Sequence, residues 1–169
     1  MTEGETAQTV TLTDNITDVD GDSLTVVDGS IKGLTDGVTV DGNKLTIDPS
    51  NQAFDGLKEG ETKEIKVTYL VTDGHGATVD QTATITVTGT NDAPKVGSII
   101  TEGVVEGETA QTVTLTDNIT DVDGDTLTVV DGSIKGLTDG VTVDGNKLTI
   151  DPSSPTFDGL KKVKPKRSP

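Results

Sequence analysis

Residues 3–48 return as residues 106–151 with a single change, Ser23 to Thr126. A segment that recurs almost letter for letter brings its own turns and apolar pattern, so the two copies are units of one design. The offset of 103 residues is the size of an ordinary domain, which predicts tandem domains rather than the short rungs of a solenoid. The likeness continues loosely, Phe54-Asp55-Gly56-Leu57-Lys58 matching Phe157-Asp158-Gly159-Leu160-Lys161, and there the copies part. The first runs on through Thr62–Thr72, a turn at Asp73-Gly74-His75-Gly76, and Ala77–Thr88, whereas the second continues into Lys161–Pro169. The expected organisation is a first repeat over 1–93 lacking its opening strand, a second over 94–160 truncated before its last two strands, and a disordered basic tail over 161–169.

That tail has a simple candidate origin. Residues 58–65, Lys-Glu-Gly-Glu-Thr-Lys-Glu-Ile, can be encoded so that deleting one base gives Lys-Lys-Val-Lys-Pro-Lys-Arg-Ser, the sequence at 161–168. The hypothesis is repeat DNA read out of frame. It fails if the codons at 161–168 cannot be aligned one base out of register with those at 58–65.

Strand signals are regular within the first copy. Thr9–Thr13 alternates and turns Val10 and Leu12 to one face; Leu24-Thr25-Val26 alternates in the same way within a strand expected over Leu24–Asp28, and Ile65, Val67, Tyr69 and Val71 make the longest apolar row. Val38–Val40 and Lys44–Ile47 flank Asp41-Gly42-Asn43, a hairpin signal because glycine supplies the positive φ of a tight turn. A last strand over about Gln81–Thr88 turns Ala83, Ile85 and Val87 inward. No stretch carries a helical period with caps. Short strands at about ten-residue spacing, divided by Gly/Asp turns, predict an all-β chain of tandem immunoglobulin-like β-sandwiches. The truncated copy would leave apolar faces and strand edges open, to be completed by another chain, for instance in a strand-swapped homodimer.

Charge narrows the function classes. The chain carries 29 Asp and Glu against 13 Lys and Arg, and five of those bases lie in Lys161–Pro169. Eight bases therefore face all 29 acids before the tail, a charge of −21, which argues against nucleic acid as a partner. No apolar run approaches a membrane span, so no membrane insertion is expected. With no Cys and one His, thiolate metal sites are excluded and a nucleophile–base pair would have to use His75, which glycines flank in a tight turn. No enzymatic activity is expected.

The carboxylates carry the functional signal. Asp18-Val19-Asp20-Gly21-Asp22 recurs as Asp121-Val122-Asp123-Gly124-Asp125. Three carboxylates spaced two apart around a glycine turn offer hard oxygen ligands in a small volume, which suits Ca²⁺. The loop is not an EF-hand, since its sixth and twelfth positions are Ser23 and Gly29 rather than Gly and Glu.

Asp-Val-Asp-Gly-Asp-Ser-Leu-Thr at 18–25, the turn at 73–76, and Thr-Gly-Thr-Asn-Asp-Ala-Pro at 88–94 together resemble the VCBS-type, cadherin-like repeats of large RTX-type bacterial surface adhesins. The resemblance implies tandem extracellular sandwiches at the cell surface that act as spacers in adhesion, contact neighbouring repeats of the same protein, and are stiffened by Ca²⁺ at their joints. It implies ligands from Asp121, Asp123 and Asp125, from Asn91 and Asp92 of the linker, and from Glu59 and Glu61 at the opposite pole of the first copy, where Glu3 and Glu5 also stand. Asp18, Asp20 and Asp22, with Asp73, would form a second, half-filled site. The alternative is a sandwich that binds glycan or protein directly. Sparse aromatics count against it, because sugars stack on Trp and Tyr.

Overall fold

The computed structural model describes residues 1–159, so the expectation for 161–169 lies outside the described residues. The fold is all-β: β1 (Gln8–Thr11), β2 (Thr25–Val26), β3 (Val38–Asp41), β4 (Lys44–Ile47), β5 (Thr62–Thr72), β6 (Thr78–Thr88), β7 (Lys95–Val96), β8 (Gln111–Thr114), β9 (Ile119–Thr120), β10 (Val141–Asp144) and β11 (Lys147–Ile150). One 3-10 turn, Pro155–Phe157, follows. The chain divides into two compact units, Met1–Ala93 with Val122–Gly124, and Pro94–Asp121 with the residues from Asp125 onward.

In the first unit two three-stranded sheets share one aliphatic core. One has the order β1-β4-β3 and the other β2-β5-β6. The β3–β4 hairpin turns at Asp41-Gly42, Gly42 taking a φ of 55°. The β5–β6 hairpin is the largest element, paired over eleven residues from Thr62↔Thr88 to Thr72↔Thr78. Its alternation resolves as the sequence predicts: Ile65, Val67, Tyr69 and Val71 are buried, as are Ile85 and Val87, with Ala83 packed against them. Against this row lie Leu12, Val38, Leu45, Ile47 and Phe54 from the other sheet and its loops, each at most 5% exposed. The Tyr69 hydroxyl donates to the Leu12 carbonyl at 2.7 Å and so ties the two sheets across the core.

Three local differences from the sequence reading have physical reasons. Val10, expected beside Leu12, is 39% exposed, because β1 is an edge strand and Leu12 lies beyond its end. The last strand begins at Thr78 rather than Gln81, since pairing with β5 holds the extra residues extended although Val79 stays exposed. The chain start also pairs: Thr2 makes a parallel bridge to Thr88, and Thr88 N–H donates to the Met1 carbonyl at 2.9 Å.

The second unit repeats one sheet, in the order β10-β11-β8, with the registers of the first. It adds a short β7–β9 pair, Lys95↔Thr120 and Val96↔Ile119. Among the described residues it has no counterpart of β2, and the reason lies in the first unit. There β2 exists by pairing with β5, Thr25↔Thr72 and Val26↔Val71, and the second copy has no β5 sequence to pair with. A side-chain clamp survives nevertheless. Asn43 accepts from Val26 N–H at 2.8 Å and donates to the Leu24 carbonyl, and Asn146 makes the same two bonds with Val129 and Leu127. This clamp depends only on the 46-residue repeat, so it forms with or without the hairpin.

Candidate metal centre

The loops at 18–22 and 121–125 are built by their own carboxylates. Asp18 Oδ1 accepts the N–H groups of Asp20 at 2.9 Å and Asp22 at 3.1 Å, which curls the chain so that residues 18 and 22 face inward to one point. In the copy, Asp121 Oδ1 accepts from Asp125 N–H at 3.3 Å. The turn between β5 and β6 closes in the same manner. Asp73 Oδ1 accepts from the N–H groups of His75, Gly76 and Ala77 at 2.7, 3.0 and 3.1 Å. These bonds, the one from His75 foremost, hold the Asp73 carboxyl below the usual carboxylate range.

Two carboxylate groups result among the described residues. Asp18, Asp22 and Asp73 have oxygens within 4.8 Å of one another, as do Asp121, Asp123 and Asp125. A cation bound at about 2.3–2.6 Å accepts ligand oxygens up to about 5 Å apart, so both groups can converge on one Ca²⁺. The first joins the loop that crosses from β1 of one sheet to β2 of the other with the turn of the β5–β6 hairpin. His75 Nε2 lies 3.7 Å from Asp22 Oδ1 at the edge of that group.

The other predicted ligands are placed differently. Asp20 is exposed and outside the first group. Glu59 and Glu61 are exposed; Glu61 accepts from Lys58 N–H at 3.3 Å and belongs to neither group. Asn91 is exposed and donates to the Asp92 carbonyl at 2.9 Å. Asp92 is half-buried, and its N–H donates to Asp123 Oδ2 at 2.7 Å, while Asp123 is 5% exposed. Glu5 is exposed and accepts from Thr2 N–H and the Gln8 amide.

Glu3 is a candidate that the expected ligand set left out. It is 8% exposed, and its Oε2 accepts from Thr90 N–H at 3.0 Å. Its Oε1 is buried with no hydrogen-bond partner. Burial above all raises its carboxyl, and the charges of Asp92, Asp123 and Asp55 push the same way, against the lowering effect of the Thr90 N–H. A carboxylate held out of water close to other acids is costly. A cation is the group that would relieve it. In sequence Glu3 is one acid in a Gly-rich acidic stretch; its burial comes from residues 88–90, far along the chain.

Two sheets packed over a core of alternating residues, with acidic loops at the strand ends, define an immunoglobulin-like sandwich. A family model for the bacterial Ig domain matches residues 1–88, more than half of the chain, and the chain belongs to that family. A comparison with curated proteins finds no match. No helix among the described residues is long and apolar enough to cross a membrane.

Proposed function

We propose that the chain is a spacer segment of a bacterial surface protein, an extender of the VCBS-type, cadherin-like kind found in adhesins, whose acidic loops take up Ca²⁺. The observation that supports this best is the buried Glu3 oxygen without a donor, set among Asp55, Asp92 and Asp123. Carboxylates that repel one another in the free chain become ligands when Ca²⁺ arrives, so the metal adds stiffness where repulsion would loosen the loops. At the other end of the first unit Asp18 and Asp22 belong to the loop that crosses from β1 to β2 and Asp73 to the hairpin turn, so an ion shared by them would pin the hairpin turn to that crossover loop. Stiffening of joints between neighbouring repeats is the adhesin-level form of the same idea. No enzymatic role is proposed, and the family is typically non-enzymatic.

The test is thermal melting followed through Tyr69, the only tyrosine in a chain without tryptophan. Ca²⁺ at millimolar levels should raise the melting temperature and Mg²⁺ should do so much less, since Mg²⁺ demands a tighter octahedral shell and gives up its water reluctantly. A melting temperature indifferent to Ca²⁺ leaves a plain spacer. The glycan-binding alternative gains no support: Phe54 and Tyr69 are buried in the core and Phe157 is half-buried, which leaves no exposed aromatic platform among the described residues.

A further inference from the structure

The two copies of the 46-residue repeat differ in what lies on their apolar faces. In the first, Leu12, Val38, Leu45, Ile47 and Phe54 are 0–5% exposed beneath the β5–β6 hairpin. In the second, the same positions, Leu115, Val141, Leu148, Ile150 and Phe157, are all only half-buried, and Val130 stands exposed where its counterpart Val27 is half-buried. The β1-β4-β3 and β8-β11-β10 sheets have the same registers, and the asparagine clamp is the same in both. The surface is therefore preformed, and its complement is known from the same molecule.

We propose that the face of β8, β10 and β11 is an acceptor for a β-hairpin of the sequence Thr62–Thr88 supplied by a second copy of this chain. The docking register follows from the first unit. Thr72 and Val71 of the incoming hairpin pair with Thr128 and Val129, as they do with Thr25 and Val26. The incoming Tyr69 hydroxyl reaches the Leu115 carbonyl, the counterpart of its bond to Leu12. Lys135 takes the place of Lys32, whose N–H and carbonyl bond with Thr68.

One glycine distinguishes an open acceptor from a filled one. In the first unit a Cβ on Gly33 would stand 2.1 Å from the Lys66 carbonyl oxygen of β5, closer than any real contact. Its counterpart Gly136 has nothing within 4 Å, although both have positive φ. Alanine at 136 carries the backbone strain of a positive φ in the free and the docked chain alike, but it meets a steric clash only with a docked hairpin. Alanine at 33 obstructs the resident hairpin. A pair of wild-type chains holds two hairpins and four acceptors, so exchanging hairpins between intact copies gains no contacts. Gly33→Ala breaks that equivalence and makes the second acceptor the better one.

The experiment adds a synthetic peptide of residues 60–90 to the 169-residue chain and follows binding by calorimetry and amide hydrogen exchange. One peptide should bind per chain, with new protection at Leu148–Ile150 and Thr128–Val129. Gly136→Ala should weaken this at least about tenfold, the equivalent of 1.4 kcal/mol. The Gly33→Ala chain should associate as concentration rises with Tyr69 still buried, and adding Gly136→Ala to it should abolish the association. Absence of peptide binding to the wild-type chain overturns the proposal, as does binding that Gly136→Ala leaves unchanged. A Gly33→Ala chain that stays monomeric with Tyr69 buried overturns donation between copies.

Discussion

Leu45 and Leu148 are the same residue in the same repeat, and their truncation should have unequal consequences. Leu45 is fully buried, at 0% exposure, between β1 and β3 and under the hairpin. Removing three carbons there forfeits their transfer free energy and leaves a cavity that close-packed neighbours only partly fill, so Leu45→Ala should cost about 3 kcal/mol, within the usual 2–5. For a unit of this size that lowers the melting temperature by roughly 12–24 °C, at about 4–8 °C per kcal/mol. Leu148 is half-buried, and its truncation opens a cavity already in contact with water. It also lies in the other unit, so Leu148→Ala should shift the Tyr69-reported transition by less than about 2 °C, as independent sites do. The assay needs no label, because Tyr69 sits in β5 and reports the first unit alone. Equal shifts in the two variants would refute the reasoning, since they would mean that the hairpin does not discriminate between the copies.

Tyr69→Phe removes the 2.7 Å bond to Leu12 and leaves a buried carbonyl without its donor, which should cost about 1–2 kcal/mol in urea unfolding. Burial raises the Tyr69 phenol, so its contribution is complete below the ordinary tyrosine range and declines as pH rises through the folded value; the alkaline limb of the stability curve should flatten in Tyr69→Phe. Asp73 works in the opposite sense: its depressed carboxyl stabilises the fold above the ordinary aspartate range and loses that effect as pH falls through the folded value, so Asp73→Asn should weaken the acid dependence of melting. Glu3 has a raised carboxyl, which destabilises its ionised form; without metal, Glu3→Gln should raise the melting temperature at pH 7 and remove the gain that the parent chain shows on mild acidification. In Ca²⁺ the order should reverse, with Glu3→Gln gaining less than the parent.

How much of this was legible in the sequence depended on whether the cause was local. β4 and β5 match the expected Lys44–Ile47 and Thr62–Thr72, because strict alternation between turn residues specifies both a strand and its buried face. Val10 has the same alternation, yet it lies on an edge strand and is 39% exposed, a fact of neighbours rather than of pattern. The loss of a β2 counterpart in the second copy is likewise a matter of pairing, since the sequences there differ only at Ser23 and Thr126. For the site, the Asp-x-Asp-Gly-Asp spacing brings Asp18 and Asp22, and Asp121, Asp123 and Asp125, together through short-range turns, whereas Asp73 reaches the first group from the distant hairpin turn. Asp20, Glu59, Glu61 and Asn91 share the composition but point their chemistry into water. Glu3 was obscured because its burial is made by the chain after β6.

The measurement closest to the central claim is the Ca²⁺ dependence of the Tyr69-reported melting temperature, taken on the parent chain and on Asp22→Asn/Asp73→Asn. For sites with a dissociation constant of about 0.1–1 mM, typical of extracellular modules, about 10 mM Ca²⁺ should stabilise by roughly 1.4–2.7 kcal/mol. That corresponds to a rise of about 6–22 °C. The parent should show it, Mg²⁺ should reproduce little of it, and the double variant should lose a large part. A parent chain whose transition is unmoved by Ca²⁺, or moved equally by Ca²⁺ and Mg²⁺, would contradict a Ca²⁺-stiffened extender.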